Sequence, residues 1–392
     1  MTSTGTGEAR LARLLDPDPQ DWRGPLDRRY AVVEEVLAGK RPAVIYPAGR
    51  VGRAAAGRLR AAGASIVALG DGNASLRGSA VDGLPVLSPS EIAADHRDDV
   101  VLVATTLFDS AITADLRERG CEHVVPVGYV NLRLRDYFPF REYDGMFEAI
   151  TAPANRAAIT QAFSLLADEE SRAVLEGKLA YHLEFDKQRL LDIKSERTIY
   201  FDDTVYALGS DEVVADGGAF VGDTLEAFLE ICCGRYRGYF GFEPDPASYA
   251  RLAAVAESDP SRITAVPAGL SDRTSSARLL STQGVDSRVL ASDEPGGEDI
   301  ELVSLDEYFD GRDAPTLIKM DVEGAEAAAL TGARGLLEHA RPKLAISAYH
   351  YPTDVWTLPL LINELLPDSR IFLRHYTDEV DDTVCYAIPG TA

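Results

Sequence analysis

Two carboxylates stand at the ends of apolar runs, where a folded chain can present them to a ligand. Asp216 closes Val213-Val214-Ala215-Asp216 and is followed by Gly217-Gly218-Ala219-Phe220-Val221-Gly222-Asp223-Thr224. Glu243 closes Gly238-Tyr239-Phe240-Gly241-Phe242 and precedes Pro244-Asp245. The first run reads as a buried strand, a tight glycine turn and the start of a helix. In α/β folds that unit builds a ligand site outside the carboxyl end of the strand, because glycine lets the backbone come close. The spacing Asp216-x-Gly218-x-x-x-Gly222 lacks one glycine of the dinucleotide fingerprint, with Phe220 near that place. Such a turn suits a small nucleoside ligand better than a pyrophosphate. A carboxylate there takes a cationic amino-acid head or ribose hydroxyls, and an acid at the tip of the second strand is where a ribose diol is held.

A third run, Thr316-Leu317-Ile318-Lys319-Met320-Asp321-Val322-Glu323-Gly324-Ala325-Glu326, is another apolar strand leading into an acidic cluster and an alanine-rich helix. The Asp216 and Glu243 runs resemble the first two motifs of class I S-adenosylmethionine (SAM) methyltransferases, and with Gly269-Leu270-Ser271-Asp272 and Ser347-Ala348-Tyr349-His350-Tyr351-Pro352-Thr353-Asp354-Val355-Trp356 the chain resembles the FkbM-type methyltransferase family over roughly residues 196–388. The resemblance implies a SAM-dependent O-methyltransferase, whose product is S-adenosylhomocysteine, acting on a hydroxyl of a sugar or natural-product intermediate. It does not name the substrate.

Methyl transfer from a sulfonium to a hydroxyl is an in-line displacement, so the protein must align donor and acceptor and remove a proton. For the cofactor we expect Asp216, Gly217, Gly218, Ala219, Asp223 and Thr224 around the methionine end. Glu243, with Asp245 beside it, is expected on the ribose, and Asp272, with Ser271 beside it, on the adenine amino group. Asp321, Lys319 and His350 are the expected catalytic residues, His350 serving as general base from an ordinary histidine pKa. Glu323, Tyr349 and Trp356 are expected on the acceptor. Asp321 could orient a substrate hydroxyl or ligate a divalent metal; the reading without a metal is preferred, because the run around it shows no second ligand cluster such as paired aspartates.

The 392 residues exceed one ordinary domain, and with 46% hydrophobic residues they can build full cores. A net charge of −24 argues against nucleic acid and anionic membrane surfaces as partners. A small-molecule substrate is the expected partner, with a homodimer allowed for. Four cysteines without metal or disulfide spacing, no signal-like N-terminus and no membrane-length run lead us to expect a cytoplasmic protein.

The elements that must position these residues divide the chain into an N-terminal tail and helix (1–40), a Rossmann-like domain (41–130), a helical connector (131–195) and a methyltransferase domain (196–392). The first domain should have strands near 42–47, 65–71, 100–105 and 123–127. Its turn Ala48-Gly49-Arg50-Val51-Gly52 keeps two fingerprint glycines, but Pro47 stands where the first should be. Asp71 is placed for a ribose, so an NAD(P)-linked oxidoreductase is one alternative reading; a SAM-binding scaffold without catalysis is another. We expect no NAD to be retained. Tyr137-Phe138-Pro139-Phe140 reads as a packed loop, and Tyr200-Phe201 as aromatics for core or ligand. The second domain should have strands at 213–216, 238–243, 263–268, 316–321, 343–349, 371–376 and 383–388. The last two are joined by a short polar turn and so run antiparallel. Helices are expected near 223–233, 246–256, 324–338 and 356–366, and residues 281–299 read as a lid or loose insertion.

Overall fold

The computed structural model describes residues 7–15, 19–106, 108–138, 145–280, 288–289, 296–351 and 353–390. Most of the segment read as a lid, and Pro139-Phe140 of the packed loop, lie outside these residues. The chain forms two compact units. The first comprises Met1–Arg156, Glu176–Ile193 and Thr377–Val380; the second comprises Ala157–Leu175, Lys194–Tyr376 and Asp381–Ala392. The residues read as a connector, 131–195, are thus divided between them. No helix among the described residues is long and apolar enough to cross a membrane.

The first unit holds β1 (Ala43–Tyr46), β2 (Ile66–Gly70), β3 (Ala80–Val81), β4 (Leu84–Leu87), β5 (Val100–Val103) and β6 (His123–Val125), in the order β3-β4-β2-β1-β5-β6. All neighbours are parallel except the β3–β4 hairpin. β1 and β5 are buried at every residue, as a sheet covered on both faces requires. The hairpin is an addition to the four expected strands. Its turn, Asp82-Gly83, has positive φ at both residues (51° and 75°), the geometry that Asp-Gly favours between paired strands.

The second unit is built on β7 (Val213–Gly217), β8 (Gly238–Phe242), β9 (Ile263–Val266), β14 (Leu317–Met320), β15 (Lys343–Ser347), β16 (Ser369–His375) and β17 (Thr383–Pro389), in the order β16-β17-β15-β14-β7-β8-β9. β17 runs antiparallel to both neighbours and the other pairs are parallel. This is the expected mixed seven-stranded α/β sheet of a class I SAM methyltransferase with its closing hairpin. The chain leaves β7 toward β8 on one side and continues from β14 to β15 on the other. The crevice between the carboxyl ends of β7 and β14 is therefore the switch point where such sheets bind ligands.

Helix Asp223–Cys232 covers the sheet by burying Leu225 and Phe228, spaced three apart on one face. Phe228 packs against Phe201, Tyr236 and Tyr239 at ring separations of 5.9, 5.5 and 5.6 Å. Truncating it to alanine should cost about 3–5 kcal/mol.

Two features were not expected. The strand read over 263–268 breaks at Pro267, and β10 (Ala268–Leu270) joins β11 (Ser275–Leu280), β12 (Arg288–Val289) and β13 (Glu298–Val303) in a four-stranded sheet. The helix read over 324–338 is two helices, Glu326–Thr331 and Arg334–His339. Between them Gly332 lies so close to Ser271 that a Cβ would stand 2.1 Å from its carbonyl oxygen.

Candidate active site

The β7–β14 register sets Lys319 directly beside Asp216, and Met320 beside Gly217. Lys319 Nζ lies 2.8 Å from Asp216 Oδ1, with the two side chains 2% and 0% exposed. Tyr239 donates its hydroxyl hydrogen to the other Asp216 oxygen. Burial pushes the Asp216 carboxyl up against the opposing pull of Lys319 and Tyr239. Lys319 is held above its usual range: burial works against its charge, and Asp216 and Asp321 outweigh it. Lys319 also donates to the carbonyls of Gly218 at 2.8 Å and Gly217 at 3.3 Å. It therefore braces the glycine turn from beneath. Lys319 and Asp216, expected at the reacting atoms and the cofactor head respectively, are engaged with each other inside the protein. Any charge they offer a ligand is already neutralised.

The turn above them is shaped by backbone. Gly218 has φ 71° and Gly222 φ 94°, values that side-chain-bearing residues reach only at a cost. A Cβ on Gly218 would stand 1.9 Å from the carbonyl oxygen of Asp321. This close approach welds the end of β7 to the end of β14. Gly218 and Ala219 N–H groups both donate to Phe242 O at 3.0 Å. Ala219 is fully buried. Phe220 is held at φ 45° with its side chain 38% exposed. Asp223 is exposed in the first turn of the following helix, and Thr224 is buried there.

Glu243 stands at the end of β8 and is 7% exposed. One carboxylate oxygen accepts from Phe220 N–H at 2.9 Å, the other from Asp245 N–H at 2.8 Å. Burial raises its carboxyl above the ordinary range, opposed by those two N–H groups. No ion pair forms to it among the described residues. Each oxygen keeps a lone pair, so the group is a fixed acceptor for hydroxyls. Asp245 caps helix Pro246–Ala256 by accepting from Ser248 N–H at 2.9 Å. Asp272 and Ser271 follow β10, the former with a 43% exposed side chain.

Across the crevice, at the ends of β14 and β15, a second cluster converges on Asp321. Tyr200 and Tyr349 donate their hydroxyls to its two oxygens, each at 3.0 Å. Tyr200 also lies 3.2 Å from Ser347 Oγ. Burial opposes the Asp321 charge, but Lys319, His350, Ser347 and Tyr200 hold its carboxyl below the usual range. His350 Nε2 lies 3.4 Å from Asp321 and 3.7 Å from Glu323, and its Nδ1 lies 2.9 Å from Glu326. Burial disfavours the imidazolium, yet Glu326, Asp321 and Glu323 together raise its pKa to about 9. The expectation of a histidine near its ordinary pKa is thus corrected: at neutral pH three carboxylates keep it protonated. Trp356, expected on the acceptor, is only 1% exposed and packs in the core. Glu323 sits at φ 54° with a 47% exposed side chain at the rim.

Sequence reading missed two members of the cluster. Glu326 is 2% exposed, set against His350 and held by the N–H groups of Val322 and Gly324 at 2.9 and 3.4 Å. It stood in a quoted motif but received no role. Tyr200 was read as an aromatic for core or ligand, and its hydroxyl reaches Asp321 across 121 positions of sequence. In the first unit, Asp71 accepts from Ala48 N–H at 3.1 Å and Asn73 N–H at 2.9 Å. The acid read for a ribose there caps two turns of its own domain.

Residues 216–380 match the Methyltransferase FkbM domain. A solved structure of the methyltransferase FkbM from Methylobacillus flagellatus KT is similar over 98% of each chain, at 25% identity and a TM-score of 0.74. A fibrillarin from Aeropyrum pernix, solved with natively bound SAM, aligns with 46% of this chain and 69% of its own at 16% identity and a TM-score of 0.31. An rRNA methylase from Streptococcus thermophilus aligns with 47% of this chain and 90% of its own at 13% identity and a TM-score of 0.31. No curated protein matches the chain. Over residues 216–380 the chain is thus similar to FkbM methyltransferases.

Proposed function

We propose that the protein is a SAM-dependent O-methyltransferase acting on a hydroxyl of a sugar or natural-product intermediate. The observation that carries this reading is the pairing of two unlike acid sites across one crevice. Glu243 is a buried, cation-free acceptor held by two backbone N–H groups, which suits a ribose diol. Asp321 is an ionised carboxylate ringed by phenols and an imidazolium, which suits orienting an acceptor hydroxyl. The family implies SAM, and the glycine turn with Glu243 fits it.

In this reading SAM supplies an activated methyl group. The turn from Gly217 to Thr224 holds the methionine end, Glu243 the ribose, and Ser271 with Asp272 the adenine edge. Asp321 accepts the hydrogen of the acceptor hydroxyl, while Tyr200 and Tyr349 fix the carboxylate. Bound SAM would supply its methyl group to the acceptor oxygen, leaving the carbon–sulfur electron pair on sulfur, and the hydroxyl proton would leave by way of the Asp321 carboxylate to solvent. Alignment of this kind is worth about 7–11 kcal/mol. The substrate is a small molecule, the location cytoplasmic, and a homodimer is compatible with the reading.

The test is transfer of labelled methyl from SAM to a panel of sugars and polyhydroxylated metabolites. Label retained in an alkali-stable ether, and lost in Asp321→Asn, supports the proposal. Label recovered on nitrogen or carbon of the acceptor overturns the O-methyl assignment.

A further inference from the structure

We propose that Asp321, Glu326 and His350 form a binding site for one divalent cation. Among the described residues these three can each offer one ligand atom, and the atoms all lie within 4.8 Å of one another. His350 Nδ1 and Glu326 are 2.9 Å apart and His350 Nε2 and Asp321 3.4 Å. Two ligands bound at right angles, each about 2.1 Å from one ion, stand about 3 Å apart. The Nδ1–Glu326 separation is that of two groups around a shared ion, and an Asp321 oxygen completes the set within 4.8 Å.

The acids alone would not carry this; the histidine does. Its side chain is 6% exposed, and neither ring nitrogen makes an aligned hydrogen bond to any described group. Buried polar atoms are nearly always satisfied by aligned partners. Here the nitrogens sit at contact distance from carboxylate oxygens without the alignment that N–H donation needs; an ion bound to one nitrogen would satisfy it and the carboxylate facing it together. The site is also built. Two backbone N–H groups fix Glu326, two tyrosine hydroxyls fix Asp321, and the Tyr349 ring lies 4.2 Å from the imidazole. Supporting contacts of this kind orient metal ligands. The ion would take the place of the imidazolium proton; with the imidazole then neutral and Glu323 at the rim, the three carboxylates carry a charge of −3, which a dication reduces to −1. Two carboxylates with one imidazole favour Mn²⁺ or similar ions over Ca²⁺. The expectation of no metal rested on the absence of a ligand cluster beside Asp321 in sequence, whereas the fold brings that cluster from Glu326 and His350.

The role of the ion rests on the O-methyltransfer reading: at this edge it would hold the acceptor oxygen and favour its deprotonated form. The binding itself does not. The experiment is therefore a titration of the full chain with Mn²⁺ alone, followed by electron paramagnetic resonance, without SAM or acceptor. S-adenosylhomocysteine binding is measured separately and reports on the methyltransferase reading alone. The expected result is one site per chain well separated from weak surface binding. His350→Ala should weaken it at least tenfold and Asp321→Asn likewise. Circular dichroism melts show whether each variant is folded, and either folded variant suffices. Only weak, multiple binding in the wild type, or a tight site unchanged in the folded variants, overturns the proposal.

Discussion

Replacing Lys319 by methionine separates a supporting role from a catalytic one. Methionine keeps the length of the side chain and removes only the charge and the donors. Asp216, fully buried, would lose its partner at 2.8 Å and keep only the Tyr239 hydroxyl. The carbonyls of Gly217 and Gly218 would lose the ammonium, and the ring of Tyr200 would lose the cation 5.0 Å from its centre. Removing one partner of a buried pair costs about 3–5 kcal/mol, because the remaining charge is uncompensated. In a unit of this size that corresponds to a fall in melting temperature of about 6–20 °C. The second variant is decisive: Asp216→Asn together with Lys319→Met leaves no orphan charge. It should be more stable than Lys319→Met alone by at least about 1 kcal/mol, within the range of coupling found for contacting residues. The assay is urea unfolding followed by circular dichroism, for both singles and the double. A Lys319→Met protein as stable as wild type, or strict additivity of the two changes, would refute the bracing role and return Lys319 to the reaction.

Gly218→Ala should be harsher than its size suggests: a Cβ would stand 1.9 Å from the Asp321 carbonyl in a left-handed conformation. We expect about 2–5 kcal/mol of destabilisation from strain and overpacking, and a melting temperature near wild type would contradict the close approach. Tyr200→Phe removes the hydroxyl on Asp321 and should lower kcat about tenfold with S-adenosylhomocysteine affinity unchanged in calorimetry. Equal loss in both would place Tyr200 on the cofactor. Glu379, in the first unit, has its carboxyl raised to about 8 by burial and by Asp109, against the pull of Lys187 at 3.2 Å. The folded state then holds a proton that the unfolded chain releases near pH 4.5. This group's contribution is complete below that pH and is lost as pH rises to about 8. Glu379→Gln should therefore gain unfolding free energy relative to wild type between pH 5 and 8, by on the order of 2 kcal/mol, and a parallel pair of pH profiles would count against it.

The seven strands of the second unit were legible because each is a short apolar run closed by glycine, proline or an acid. The closing hairpin followed from the six-residue polar turn, Thr377 to Asp382, read between its strands. Breaks caused by tertiary contact were not legible. The split at Gly332 depends on the backbone of Ser271, some 60 residues earlier in the sequence. The same limit applied to the site. Glu243 and Asp321 could be placed because they end strands. That Asp216 would be taken by Lys319 follows from a parallel register joining segments about 100 positions apart. The state of His350 depends on Glu326, which its helix turns toward the imidazole. Trp356 lies close in sequence to His350 but on a helix face that packs inward, so proximity along the chain misled where burial decides.

The most direct test of the central claim is a calorimetric titration of the purified chain with S-adenosylhomocysteine and, separately, with NAD. The structure predicts saturable micromolar binding of one S-adenosylhomocysteine per chain and no heat from NAD. Saturable NAD binding with no response to S-adenosylhomocysteine would contradict the assignment of the β7–β14 crevice as the working site.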